Sequence, residues 1–117
     1  MEKQGKVWGE TRKLFNKNNV EVSRIEVEKG GFSSTHKHEH KYNKFFVESG
    51  KLKILVWKND YDLCDETIIS EGESTVIVPG EDHMFEALED TTAYEIYWVG
   101  LTDDIVRKNH GGLKRSS

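Results

Sequence analysis

Short stretches of alternating hydrophobic and polar residues dominate the chain, and they predict strands rather than helices. Runs rich in Val, Ile, Phe, Trp and Tyr are separated by turns that contain Gly, Asn or Asp. This spacing predicts an all-β, antiparallel sandwich or barrel. The predicted segments are a strand over 20–31 ending in a Gly-Gly turn, a hairpin over 43–57 with Ser49 and Gly50 in its turn, a loop over 58–62, a strand and turn over 66–73, a strand over 74–83 stopped by Pro79, and two final segments over 84–90 and 91–100.

The two ends of the chain show weaker patterns. Near the N-terminus, a strand is predicted around Trp8. Near the C-terminus, the paired aspartates of segment 101–110 suit the first turn of a short helix, because carboxylates stabilise its positive end. The length of 117 residues suits one domain. We therefore expect a single domain over 1–110 and a flexible tail over 111–117.

Composition excludes several classes of function. The net charge is −4, which argues against a nucleic-acid partner. Cys64 is the only cysteine, so no intrachain disulfide can form, as is usual in a reducing compartment. The segment MEKQGKVWGE has no apolar run, so no signal peptide is expected, and no stretch approaches the roughly 18 apolar residues that a membrane helix needs. We expect a cytoplasmic protein with no membrane partner.

Three of the five histidines lie in one short segment, THKHEHKYN over 35–43. On a regular strand His36, His38 and His40 share one face, because residues two apart point the same way. The intervening residues are charged and suit the solvent face, so the histidines are predicted to face inward. Inward imidazoles are costly unless they are hydrogen-bonded or bound to a metal.

A third metal ligand would have to come from elsewhere in the chain. His83 is the natural candidate, because it follows the rigid turn VPGED at the end of a predicted strand. His110 lies in the tail and is a poor candidate. Imidazole suits Zn, Cu, Fe and Ni. The spacing alone leaves an alternative open, in which 35–43 is an exposed, charged segment that happens to contain histidines.

Glu95 and Tyr97 alternate along the last predicted strand and share one face. They could line a cavity and bind substrate. An ordinary strand with Glu95 exposed is the slightly preferred interpretation.

Residues 30–50 resemble the first cupin motif, G-x5-H-x-H-x3,4-E-x6-G. Gly30, His36, His38 and Gly50 occupy motif positions, and Asn43 stands where the motif has Glu. The resemblance implies a cupin double-stranded β-helix, that is, a jelly-roll barrel.

Residues 72–83 resemble the second cupin motif, G-x5-P-x-G-x2-H-x3-N, with His83 in place and Pro79 shifted by one position. The two motifs together imply a divalent metal ion (Zn, Mn, Fe, Ni or Co are not distinguished). The implied ligands are His36, His38 and His83, with Asn43 or water completing the set. His40 is an alternative ligand, or it lies beside the ligands and contacts substrate.

A narrower resemblance is to the cupin domain of type II mannose-6-phosphate isomerases. The segments that carry it are VWG at 7–9, VSRIEVEKGG at 22–31, HEHKYNKFFVESG at 38–50 and TDDIVR at 102–107. It implies isomerisation or epimerisation of a sugar or sugar phosphate, with Arg107 as the candidate cationic anchor. It also implies a homodimer, with the strand around Trp8 packed on the partner.

The departure at Asn43 keeps other functions open. Asparagine can ligate through its carbonyl oxygen, but it brings neither a negative charge nor a proton-accepting role, and no general base is evident. A non-catalytic cupin that binds a carbohydrate or another small ligand is therefore the alternative. A metal-dependent oxygenase is a third possibility, against which TDDIVR argues.

Overall fold

A computed structural model describes residues 2–58 and 63–99, and within them it shows nine β-strands and no helix. The predicted all-β class is confirmed. The strands are β1 (Glu2–Lys6), β2 (Gly9–Lys17), β3 (Val20–Val27), β4 (Lys41–Ser49), β5 (Lys51–Trp57), β6 (Cys64–Ser70), β7 (Ser74–Ile77), β8 (Asp82–Ala87) and β9 (Thr91–Val99).

The strands form two antiparallel sheets, consistent with a jelly roll. The larger sheet has the order β1-β2-β3-β9-β4-β7, and the smaller has the order β6-β5-β8. Alternate residues of each sheet point inward and form one apolar core, because successive side chains of a strand face opposite ways. The buried core residues are Ile25, Val27, Phe45, Val47, Leu52, Ile54, Ile69, Ile77, Phe85, Ala87 and Ala93.

The predicted hairpin over 43–57 is wrong, because its two strands lie in different sheets. β4 pairs with β7 and β9, whereas β5 pairs with β6 and β8. The chain crosses between the sheets at Gly50, whose φ is +96°. A side chain there would collide with the carbonyl oxygen of Asp90 and with Thr91. A turn signal in the sequence marks a change of direction, but not which strands pair afterwards.

Replacing Gly50 by alanine should therefore destabilise the protein strongly. The left-handed conformation costs about 1–2 kcal/mol for an L-residue, and forcing a methyl group into a packed site costs about 1–3 kcal/mol more. Gly72→Ala is the matched control, since Gly72 has φ +80° but open space around it. Urea denaturation should show a larger loss of the free energy of unfolding for Gly50→Ala than for Gly72→Ala. Equal losses would contradict the close approach at Gly50.

The N-terminal hairpin β1–β2 extends the larger sheet and covers one end of the space between the sheets. Trp8 lies in its turn, and the Trp8 carbonyl accepts a hydrogen bond from the Glu28 amide at 2.9 Å. The Trp8 ring packs edge-on against Phe85, with centroids 5.2 Å apart. Gly31 permits this contact, because a Cβ there would lie 2.9 Å from the Cβ of Trp8. Trp8 thus packs on its own chain, and contact with a partner subunit stays a prediction.

The segment 101–110, Arg107 and the tail 111–117 lie outside the described residues. The predicted helix or turn and the predicted cationic anchor therefore stay predictions. Within 2–58 and 63–99, no helix has the length and apolar character needed to cross a membrane.

Candidate functional site

The histidine-rich segment is not the regular strand that its alternation predicts. Residues 30–38 run in extended form along the edge of β8, with bridges at Phe32↔Glu86 and His36↔His83. The segment advances four residues between these bridges while β8 advances three, so the register slips by one. At the irregularity the side-chain oxygen of Ser33 accepts the amide hydrogen bond of Phe85 at 3.0 Å.

The slipped register brings three histidines together from two segments. A ring nitrogen from each of His36, His38 and His83 lies within 4.8 Å of the others. The centroids of the His36 and His83 rings are 4.5 Å apart. His40 is exposed and is not a member of this cluster. The prediction that His40 shares a face with His36 and His38 is wrong, because the segment turns towards solvent before β4 begins.

Backbone carbonyls orient two of the three rings. Nδ1 of His36 lies 2.9 Å from the Ser34 carbonyl oxygen, and Nδ1 of His83 lies 3.0 Å from that of Glu81. A carbonyl oxygen can only accept, so each Nδ1 carries the hydrogen and each Nε2 presents a lone pair in the neutral ring. Nε2 of His38 is buried and has no hydrogen-bond partner within the described part of the chain. Three ring nitrogens are therefore available as metal ligands.

Asn43 places its side-chain amide beside the histidines. It points inward from β4 and is 1% exposed, and its Oδ1 has no hydrogen-bond partner among the described residues. Its Nδ2 lies 3.4 Å from Nε2 of His83. Rotating the Asn43 amide by half a turn exchanges its Oδ1 and Nδ2, so that Oδ1 faces the histidines. A buried acceptor left unpaired costs about 1–3 kcal/mol, and a cation would remove that cost. The residues thus fit a divalent ion.

Burial also keeps the rings in the form that binds metal. Desolvation lowers the pKa of His38, and the neighbouring rings of His36 and His83 lower it further. Desolvation lowers the pKa of His83 as well, despite the hydrogen bond to the Glu81 backbone. Both rings are therefore neutral at pH 7, so protons compete weakly with a metal.

Replacing Asn43 by aspartate tests whether position 43 faces the metal. In the metal-free protein we expect Asn43→Asp to lower the free energy of unfolding by roughly 1–3 kcal/mol, because it leaves a buried carboxyl unsatisfied. With metal bound, the added charge should raise affinity and restore stability. Asn16→Asp, on the exposed end of β2, is the control. Calorimetric titration with Zn²⁺ and thermal melts measure both effects; unchanged Zn²⁺ affinity would show that residue 43 is not a ligand.

Glu95 and Tyr97 lie beside the histidines, on the inner face of β9. Glu95 is only 9% exposed, so the interpretation with an exposed Glu95 is wrong. The Tyr97 hydroxyl donates a hydrogen bond to the Glu95 carboxylate, and the Tyr97 ring lies 5.0 Å from that of His38. Burial raises the pKa of Glu95, although the Tyr97 hydrogen bond opposes the rise. Burial and the Glu95 charge raise the pKa of Tyr97. Glu95 can therefore hold a proton where an exposed carboxyl would not.

The raised pKa makes stability depend on pH. Below the ordinary pKa of 4.5, Glu95 is protonated in both the folded and unfolded states. As the pH rises through the folded pKa, stability is lost, because only the unfolded carboxyl ionises freely. We expect metal-free Glu95→Gln to match the wild type at low pH and to exceed its stability increasingly as the pH rises. Urea denaturation from pH 4 to 8 measures the free energy of unfolding of both proteins. A difference between them that does not change with pH would show that the pKa of Glu95 is not raised.

A cavity of about 820 Å³ opens beside this cluster, between the inner face of the larger sheet, which includes the N-terminal hairpin, and segment 30–38 with β8. His36, Glu95 and Tyr97 line it together with residues that the sequence reasoning did not identify. One wall is aromatic and the floor is polar. The aromatic wall consists of Trp8, Phe32 and Phe85, and the newly identified polar lining includes Lys6, Thr11, Lys13, Glu21 and Ser23.

The sequence contains a pattern that could have identified the polar residues of the cavity. The inner faces of three neighbouring strands, β3, β9 and β4, change from apolar to polar residues towards the same end of the larger sheet. A polar residue at an inward position is exceptional, and several at one sheet end mark a site. The polar inward residues are Glu21 and Ser23 on β3, Glu95 and Tyr97 on β9, and Asn43 on β4; the apolar ones that follow are Ile25, Val27, Ala93, Phe45 and Val47.

These features define a β-sandwich with a histidine cluster at the mouth of a polar cavity. Residues 23–100 match the family model described as the cupin domain, and the chain belongs to the cupin family. No curated protein matches the sequence.

Solved structures share the fold. The chain is similar to KdgF from Halomonas sp., with a TM-score of 0.72 at 14% identity, covering 86% of this chain and 90% of that one. It is similar to the capsular polysaccharide assembling protein CapF of Staphylococcus aureus, with a TM-score of 0.72 at 28% identity, covering 87% of this chain and 28% of CapF. It also resembles Bacillus subtilis oxalate decarboxylase, a protein with Mn(II) centres, with a TM-score of 0.75 at 14% identity, covering 88% and 28% of the two chains.

Proposed function

We propose that this cupin holds one divalent ion on His36, His38 and His83, with Asn43 as a further ligand, and isomerises or epimerises a sugar or sugar phosphate. The observation that carries the metal site is the meeting of three ring nitrogens, from His36, His38 and His83, within 4.8 Å of one another. Nε2 of His38 and Oδ1 of Asn43 are both buried without hydrogen-bond partners in the described residues. Native proteins rarely leave such groups unsatisfied unless an ion or water completes them.

The form of the cavity supports a carbohydrate ligand. A sugar ring presents hydroxyl groups at its edge and C–H groups on its faces, which suits a polar floor opposite aromatic side chains. Trp8, Phe32 and Phe85 line the cavity together with Glu95 and Tyr97. The similarity to CapF, at 28% identity, and the sequence resemblance to type II mannose-6-phosphate isomerases favour the same class of ligand.

Aldose–ketose isomerisation moves a proton between adjacent carbon atoms and places negative charge on an oxygen. A divalent ion at the histidines would supply a Lewis acid for that oxygen. Glu95 is the proposed proton carrier, because it is buried, lines the cavity and can hold a proton on its carboxyl group. Tyr97 fixes the orientation of that carboxyl through its hydrogen bond.

The test begins with metal analysis of protein purified without a histidine tag. We expect about one divalent ion per chain. The loaded protein is then assayed for conversion of mannose 6-phosphate to fructose 6-phosphate and against other hexose phosphates. Absence of bound metal would overturn the site, and absence of turnover across hexose phosphates would overturn the enzymatic activity.

One observation favours a second function, a cupin that binds carbohydrate without catalysis. Asn43 is neutral where the first cupin motif has Glu, so one carboxylate is lost from the site. In this case a sugar would raise the melting temperature of the metal-loaded protein while no product forms. The two functions are thus separated by one ligand titration and one product assay.

A homodimer remains part of the proposal. The outer face of the larger sheet carries aromatic pairs, Tyr42 stacked on Trp98 and Phe46 near Tyr94, with centroids 5.4 Å and 6.4 Å apart. Phe46 is 37% exposed. Exposed apolar surface of this kind is typical of protein interfaces. Light scattering on the purified protein would measure the mass of the assembly.

A further inference from the structure

Two lysines of the N-terminal hairpin, Lys6 and Lys13, line the same cavity as the histidine cluster. Lys13 lies on the inner face of β2, where it pairs with Ser23 of β3, and Ser23 in turn pairs with Glu95 of β9. The Lys13 ammonium lies 3.0 Å from the carboxylate of Glu21. The lysines therefore belong to the cavity floor and rim.

The charges of the cavity differ from those of the whole protein. The chain carries a net charge of −4, yet the cavity places two lysines against two carboxyl groups, Glu21 and Glu95. No ion pair to Lys6 is found within the described residues. With a divalent ion on neutral histidines, the cavity has an excess of positive charge even when both carboxyls are ionised. Such a cavity attracts anions.

Lys13 and the proposed ligand Asn43 lie on strands three positions apart in the larger sheet. Asn43 is on β4 and Lys13 is on β2, with β9 and β3 between them. Three strand spacings of about 4.8 Å give roughly 14 Å along the sheet. This is the separation of the two backbones, of which the lysine and asparagine side chains cover a part. A ligand that contacts both groups spans the rest, with its metal-binding oxygens and its anionic group several bonds apart.

We propose that Lys6 and Lys13 form an anion subsite, and that the ligand is a sugar whose carboxylate or phosphate lies several carbon atoms from the oxygens that face the histidines. This inference rests on the proposed function, and it makes the N-terminal hairpin an element that selects an anionic sugar. A hexose 6-phosphate or a hexuronate has the required length. A two-carbon diacid such as oxalate is the short ligand that this separation disfavours.

Calorimetric titrations of the Mn²⁺-loaded protein with mannose, mannose 6-phosphate, mannuronate and oxalate test this subsite. We expect at least one anionic hexose to bind 10-fold or more tightly than mannose, and tighter than oxalate. Lys6→Gln and Lys13→Gln should each remove most of that gain while mannose binding is unchanged. Lys17→Gln, the same change of charge on the exposed end of β2, should keep the gain. Whether phosphate or carboxylate binds better identifies the anionic group.

Equal binding of mannose and both anionic hexoses would overturn the anion subsite and leave the proposed function intact. If Lys17→Gln lost the same affinity for the anionic hexose, the subsite would also be overturned, because the effect would then come from the overall charge of the protein and not from contact with Lys6 and Lys13. If no hexose binds, the proposed function fails, and inorganic phosphate then tests the subsite alone. Phosphate should raise the melting temperature of the metal-free wild type but not of the Lys6→Gln/Lys13→Gln double variant; an equal rise in both would overturn the subsite.

Discussion

Replacing His83 by alanine should lower the affinity for a divalent ion by more than about 100-fold. Loss of a group that merely supports a metal ligand costs 10- to 100-fold, and His83 is proposed as a ligand itself. It is also central to the cluster, since its backbone exchanges two hydrogen bonds with His36, at 2.8 and 3.0 Å. Calorimetric titration with Zn²⁺ and metal analysis of the purified variant measure the loss.

His40→Ala is the matched control, because His40 belongs to the same sequence segment but is exposed and lies outside the cluster. It should bind Zn²⁺ as the wild type does. His83 is 1% exposed, so its removal could impair folding. The half-buried His36 therefore provides a second variant, His36→Ala, in which the same loss is expected. Equal affinity in His36→Ala and His40→Ala would refute the three-histidine site.

Replacing Glu95 by glutamine should lower turnover of the hexose phosphate by about 100- to 10,000-fold, the range typical of a general acid or base. Glutamine can still accept the Tyr97 hydrogen bond, so the local structure should be kept. Metal content should not change, because Glu95 is not a member of the histidine cluster. Steady-state kinetics and metal analysis on the same sample separate the two effects.

The control is Glu66→Gln, the same substitution at an exposed position of β6. Its turnover should equal that of the wild type. Tyr97→Phe should show a smaller loss than Glu95→Gln, since it removes only the hydrogen bond that orients the carboxyl. Wild-type turnover in Glu95→Gln would show that another group carries the proton, whereas a loss of bound metal would assign Glu95 to the ligands.

The strand pattern predicted most of the fold, because alternation of apolar residues is a local property. It placed β3, β4, β5 and β9 to within a few residues. It did not predict which strands pair, and the hairpin over 43–57 is wrong for that reason. Pairing is decided by contacts distant in sequence, such as those of Gly50 with Asp90 and Thr91. The predicted strand around Trp8 is wrong at Trp8 itself, which lies in the turn between β1 and β2. The inner face of β2 is polar at Thr11 and Lys13 and gives little hydrophobic periodicity, so the sequence does not separate these two strands.

The candidate ligands could be proposed from sequence because the two histidine motifs stand in order along the chain. Their arrangement could not, since it depends on the one-residue slip of segment 30–38 against β8. The regular alternation that suggested three equivalent histidines holds for His36 and His38 and ends before His40. The role of Arg107 stays a prediction. The sequence leaves open whether Glu95 is exposed or lines a cavity with Tyr97, because it does not show which face of β9 is covered; the structure shows the second arrangement.

The N-terminal hairpin lies outside the region 23–100 that matches the family model, while His36, His38, Asn43 and His83 lie inside it. In the proposed site the hairpin supplies the two lysines and Trp8, whereas region 23–100 supplies the metal ligands and much of the remaining cavity wall, with Phe32, Phe85, Glu95 and Tyr97. If both proposals hold, exchanging residues 2–17 for the corresponding segment of another cupin should change the preference for anionic ligands while the four proposed metal ligands are kept.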